Sequence, residues 1–149
     1  MSEVKDFIQD RESRHNGKID FLSYARYLGT AKNGHFINLS GVIYIINNVI
    51  YFEDFEKKAN PLLTYGQDMV YNKTEFDFAL NNIHSYRFVN EKDAKSVIMN
   101  KDGLVKIQDY RKGLLSFFDI KVVEIVLNNE IHFIDITKGE EFLNFISRG

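Results

Sequence analysis

The sequence predicts a mainly β fold closed by one C-terminal α-helix, either a small barrel or two packed sheets with the helix over one end. Three observations carry this. Thirteen Phe and eight Tyr are residue types that pack well on a pleated surface. Short apolar or alternating runs recur between Asn, Asp and Gly turn signals. The last apolar pattern, Phe142, Leu143, Phe145 and Ile146, has helical spacing instead.

Residues 1–18 read as an N-terminal arm or short helix ahead of a domain over 19–149. Val4, Phe7 and Ile8 share one helical stripe, residues 10–14 are charged throughout, and Asn16-Gly17 is a helix stop. Two accounts stay open: a frayed, solvated chain end, or an arm whose Phe7 and Ile8 dock on the domain. Between Lys18 and Ala31, Phe21, Tyr24, Ala25 and Leu28 match a helix, whereas Leu22, Tyr24, Arg26 and Leu28 match a strand. The aromatic content and the following Gly29, Asn33 and Gly34 favour a strand and turn.

Residues 40–54 give the sharpest local signal. Two β-rich runs flank Asn47-Asn48, and Asn tolerates the positive φ that a two-residue hairpin turn demands. That turn sets Ile45 opposite Ile50 and Ile43 opposite Phe52 on one apolar face. Tyr44, Ile46, Val49 and Tyr51 point the other way. A half-exposed strand alternates apolar with polar residues, and this hairpin hardly does. Its second face needs a cover or a partner.

The middle of the chain reads as further strands. Residues 62–71 form a strand interrupted at Gly66, after a connection whose Pro61 has no place in a central strand. Phe76, Phe78 and Leu80 alternate onto one side, Asn81-Asn82 turns the chain, and residues 83–89 resume as strand. Residues 90–95 are charged loop. Residues 96–99 and 104–107 flank Asp102-Gly103, a hairpin signal, and 114–118 add a short apolar run.

In the last third, residues 121–127 and 131–136 surround Asn128-Asn129-Glu130. A three-residue loop sets Val123, Ile125, Leu127, Ile131 and Phe133 on one face with Glu124 and His132 opposite. A two-residue loop pairs Glu124 with Phe133, so the longer loop is expected. Thr137 and Glu140 have capping-box spacing. Asn-Asn-x-Ile-x-Phe-x-Asp occurs at 47–54 and again at 128–135, one hairpin solution used twice without a longer repeat.

Composition bounds function more than it identifies it. With 149 residues, 44% hydrophobic and 27% charged, one domain is the natural reading. A formal charge of −2 supplies no global field for phosphate, so nucleic acid is not expected as a partner. Without cysteine there is no disulfide or thiolate site, and a cytoplasmic location is the default. No targeting or membrane-spanning segment is expected. His15, His35, His84 and His132 lack ligand spacing, so no metal or other cofactor is expected. No nucleophile elbow or phosphate loop occurs, and no enzyme activity is expected.

Several segments resemble one family. Gly41 followed by residues 43–52 looks like the GRAM hairpin, Gly-x-Leu-Tyr-Leu-Thr-Asn-x-Arg-Leu-Ile-Phe. Residues 76–85 are similar to that family's Phe-x-Ile-Pro-Leu-x-x-Ile-x-Ser strand, and 124–146 resemble its final hairpin and helix, with Glu140-Glu141-Phe142-Leu143 at the helix start. The chain from Phe21 to Ser147 thus resembles the pleckstrin-homology superfold in its GRAM and bacterial PH-like branches. Ile46 and Val49 stand where the family tends to have Thr and Arg, and Ala79 where it often has Pro. The resemblance implies a PH-like small barrel of about seven strands capped by one helix, acting as a non-catalytic adaptor.

Two sets of site residues follow. Tyr44, Ile46, Val49 and Tyr51 are expected to meet a protein partner or a second copy, since contiguous apolar surface marks interfaces. Lipid-binding members of the superfold use Lys and Arg around the open barrel end. The matching cations here are Arg26, Lys32, Lys57 and Lys58, which implies peripheral contact with anionic headgroups as a secondary role. A second pattern, Arg11 and Arg14 followed by Asn38-Leu39-Ser40, faintly resembles the PilZ signature for cyclic di-GMP. Its arginines are one residue too close, and Ile43 replaces the final Gly.

Overall fold

A computed structural model describes residues 2–55, 75–101, 106–111 and 120–148. The domain is mainly β. Seven antiparallel strands form one curled half-barrel sheet, and a C-terminal helix fills its concave side. In chain order the elements are α1 (Ser2–His15), β1 (Ile19–Thr30), β2 (Leu39–Ile46), β3 (Val49–Asp54), β4 (Glu75–Ala79), a 3₁₀ turn (Leu80–Asn82), β5 (Ser85–Asn90), α2 (Glu91–Met99), β6 (Lys121–Val126), β7 (Ile131–Ile136) and α3 (Gly139–Ser147). The sheet order is β4-β3-β2-β1-β7-β6-β5, with β4 and β5 as its edges.

The β2–β3 hairpin forms as its residues dictate. Asn47 and Asn48 hold φ of 53° and 62°, the left-handed pair of a type I′ turn. The register sets Ile45 opposite Ile50 and Ile43 opposite Phe52, and all four are fully buried. With Phe21, Phe78, Ile125, Ile134 and Phe142 they build the core inside the curl. Between Lys18 and Ala31 the strand reading holds: β1 pairs with β2 on one side and β7 on the other. Gly41 lies against the backbone of β3. A Cβ there would sit 2.1 Å from the Glu53 carbonyl oxygen. Gly41→Ala therefore has to push two paired backbones apart. Urea denaturation is expected to show a loss of about 1–3 kcal/mol or more, the usual cost of overpacking.

The convex side of the sheet is covered too, and three expectations are corrected, the first two by this cover. Residues 90–95 are not a loop and 96–99 are not a strand: together they make α2. Asn90 caps it by accepting from the Lys92 amide, and Glu91 and Asp93 sit in its first turn, where carboxylates suit the helix dipole. Ala94 and Ile98, four apart, turn inward onto Leu28, Val89, Val122 and Phe133. That second core explains the next correction. The β6–β7 register is the two-residue one, with Glu124 opposite Phe133. Phe133 need not share a face with Val123 and Ile125, because α2 gives the opposite face an apolar cover. Glu124 tolerates burial there because Arg87 on β5 pairs with it at 2.8 Å.

The third correction is at α3. Lys138 occupies the N-cap without a side-chain cap bond, so Thr137 and Glu140 make no capping box. The helix start is tied to β1 instead. The Thr137 amide donates to the Tyr24 carbonyl at 3.0 Å, and the Lys138 amide donates to Ser23 Oγ at 3.1 Å. Phe142 is fully buried, with Leu143, Phe145 and Ile146 packed beside it. The expected strands at 62–71 and 114–118, the Asp102-Gly103 turn, and Lys57 and Lys58 lie outside the described residues.

Candidate interaction surface

Residues 2–15 form a helix with Glu3 in the first turn and Arg14 and His15 in the last, charges that complement its dipole. Its sheet-facing stripe begins with Phe7 and Ile8 and continues through Arg11, Glu12 and His15, all half-buried. The second half of that stripe is polar, and each polar group has a partner on the domain. Arg11 grips Glu53 of β3 with two bonds, Nε to Oε2 at 2.6 Å and Nη2 to Oε1 at 2.7 Å. The Tyr44 hydroxyl donates to the same carboxylate. The Arg11 guanidinium also lies over the Phe7 ring at 4.3 Å. Phe7 meets Tyr44 edge-on at 5.6 Å, and His15 stacks on Tyr51 at 4.0 Å. Beyond the helix, Glu12 Oε2 accepts from the Ile19 amide at 2.8 Å.

The partner expected at Tyr44, Ile46, Val49 and Tyr51 is replaced here by α1 of the same chain. Tyr44 is 1% exposed and Ile46 is fully buried, with Val49 and Tyr51 half-buried. Of the two accounts of the arm, docking is the one seen. Arg11, His15 and Glu53 are the residues that sequence reasoning missed. The four-residue steps from Phe7 to Arg11 to His15 place those three on one helical face, but no local pattern points from Arg11 to Glu53.

The electrostatics follow from the burial. The hydrogen bond to Glu53 raises the Arg11 pKa, so its charge is secure at any accessible pH. Burial, reinforced by the bond to Glu53, pushes the Tyr44 phenol above its ordinary value. Burial also raises Tyr27 and Tyr51. A phenol raised in the folded state ionises first in the unfolded chain. Stability is then complete below the ordinary tyrosine value of about 10 and falls as pH rises beyond it. Tyr44→Phe is expected to flatten that alkaline fall while costing about 1.5–3 kcal/mol at neutral pH, because Glu53 loses a donor. Urea denaturation across an alkaline pH series checks both parts.

An apolar groove runs beside α1, about 370 Å³ in volume, lined by Val4, Phe7, Leu22, Tyr24, Val42 and Phe55, with Glu3 and Lys138 also in its lining. Tyr24 is 64% exposed and Val4 is 56% exposed. Sequence reasoning does not single out Tyr24, because it belongs to the apolar stripe of both the helical and the strand pattern over residues 18–31.

Of the cations expected at a headgroup site, only Arg26 and Lys32 are among the described residues. Arg26 bonds Asp135 at 2.7 Å and Asn38 at 2.8 Å and also pairs with Glu91. Burial works against its charge, but the two carboxylates outweigh that and raise its pKa. Lys32 stands exposed in the turn after β1, at φ 66°. The PilZ-like residues are separately engaged, Arg11 with Glu53, Arg14 with Asp10 at 2.9 Å, and Asn38 with Arg26. Of the histidines, His132 is built into the sheet. Tyr27 bonds its Nδ1 at 2.7 Å, Glu130 its Nε2 at 2.7 Å, and Phe76 stacks on its ring at 5.9 Å. Among the described residues no group of three or more His, Asp or Glu is placed to hold a metal ion, and no helix is long and apolar enough to cross a membrane.

No family model matches this sequence, and no curated protein or solved structure matches it either.

Proposed function

We propose that this chain is a non-catalytic, PH-like adaptor domain that binds a protein partner, with anionic membrane lipid as a secondary ligand. The observation that carries the reading is the apolar groove beside α1, in which Tyr24 and Val4 remain largely exposed. Exposed apolar surface of this kind marks interfaces, and tyrosine is favoured there because its apolar ring ends in a polar tip. The PH-like part is supported by β1 to β4 pairing in chain order, β5 to β7 doing the same, and the last helix packing into the curl. The partner surface is thus moved from the hairpin residues under α1 to the groove next to them. The lipid role is secondary because Arg26 is already held by two carboxylates.

The test is a photo-crosslinking amino acid at position 24, with the same probe at exposed Asn81 as the control. A discrete protein adduct at 24, absent at 81 and lost with Val4→Glu, is the expected result. Equal labelling at both positions, or none at 24, removes the proposal. Sedimentation with anionic vesicles tests the secondary ligand, and any binding should fade with added salt as exposed charges are screened.

A further inference from the structure

We infer that the seat of α1 on β2 and β3 is a docking site for the α1 helix of a second copy, so that two chains associate by exchanging arms. Three features of the molecule lead there. First, the seat is chemically selective. The Glu53 side chain is only 4% exposed, and a buried carboxylate needs a matched cation, best a forked guanidinium. Tyr44 and Tyr51 beside it take a ring edge and a stacked imidazole. An occupant must therefore present an aromatic, a guanidinium and an imidazole at successive four-residue steps. Residues 2–15 do so, and every further copy of the chain carries the same helix.

Second, α1 leaves its seat without breaking a ladder. Among the described residues no backbone-to-backbone hydrogen bond joins α1 to a strand. Side chains make the attachment, including Asn47 Nδ2, which donates to the carbonyls of His15 and Asn16 at 3.2 and 3.3 Å. Third, the hinge is short and bent. Only Asn16, Gly17 and Lys18 separate α1 from β1, and the chain bends there through Asn16 at φ 54°, a left-handed conformation that Asn adopts more readily than most residues. Straightening it turns α1 away from its own sheet, and short bent hinges favour exchange. The site shares Phe7 with the wall of the Tyr24 groove, but an exchanged α1 rebuilds that wall, so either reading stands or falls alone.

Charge reversal tests this directly. Arg11→Glu and Glu53→Arg each place like charges in the intramolecular seat. Mixed one to one, the arm of the first variant matches the seat of the second, and the arm of the second matches the seat of the first. Both matches form only between chains. The mixture is expected to give a heterodimer by sedimentation equilibrium, with a melting temperature above either variant alone. The double variant, matched within one chain, should recover that temperature without its partner. A mixture that stays monomeric with both melting temperatures unchanged overturns the inference.

Should either variant fail to fold, the wild-type chain supplies the second test. A fluorescein-labelled peptide of residues 2–16 should bind it saturably, and the same peptide with Arg11→Glu about tenfold or more weakly, as loss of a buried charge partner requires. Absence of saturable binding overturns the inference. Peptide binding combined with no heterodimer from folded variants also overturns it, since the hinge then forbids exchange.

Discussion

Phe142→Ala is expected to remove about 3–5 kcal/mol of stability, the cost of deleting a buried aromatic and leaving a cavity. Phe142 is fully buried and meets Phe21 of β1 at 5.5 Å, ring edge toward ring face. It belongs to the same core as residues of β2, β3, β6 and β7, so one side chain from α3 joins both halves of the curled sheet. The cavity cannot collapse cheaply, because α3 is held at its start by Ser23 and by the Lys121–Glu140 pair at 2.7 Å. Small domains have only about 5–15 kcal/mol in total, so this substitution takes a large share. Phe142→Leu, which keeps most of the volume, should cost well under half as much. Urea denaturation followed by circular dichroism measures both. A loss below about 1 kcal/mol for the alanine variant is too small for a filled cavity and would show that α3 does not plug the curl.

What was legible in the sequence was whatever neighbouring residues decide. Asn47-Asn48 specifies its own turn, the turn specifies the register, and the register puts Ile43, Ile45, Ile50 and Phe52 inside. Phe142 to Ile146 likewise announce a helical face. The elements that differ from expectation depend on partners far along the chain. Residues 90–99 look like loop and strand until Ala94 and Ile98 are set against Phe133 and Leu28. The β6–β7 register differs because Glu124 does not need solvent: Arg87 neutralises it inside the fold. The candidate surface followed the same rule. The hairpin's missing polarity signalled a cover or a partner, and α1 is the cover. That the cover carried Arg11, and that Glu53 waited beneath it, depends on a pair 42 residues apart. Local periodicity does not report such pairs.

Arg11→Met is the substitution that isolates that pair. With α1 still seated, Glu53 becomes a buried charge without its guanidinium, a state that costs about 3–5 kcal/mol. The helix has a way out: it lifts off, water reaches Glu53, and the loss becomes the apolar contact of Phe7 and Ile8, which are only half-buried, each about half of the 1.5–3 kcal/mol of a fully buried side chain. The smaller cost wins, so the variant should release α1 before the sheet unfolds. Hydrogen exchange is expected to show residues 2–15 unprotected while β1, β2 and β7 stay protected. Adding Glu53→Leu removes the stranded charge, and an apolar pair in place of a buried ion pair is close to neutral. The double variant should therefore regain protection in α1, with a coupling energy of more than about 1 kcal/mol between the two positions. Tyr44 then keeps a hydroxyl that has lost its carboxylate and retains only the long contact with His15 Nε2 at 3.4 Å, and Tyr44→Phe in the same background should recover part of the remaining deficit. If the two substitutions instead add, with α1 unprotected in all three chains, the helix is held by its apolar contacts and not by Arg11 and Glu53.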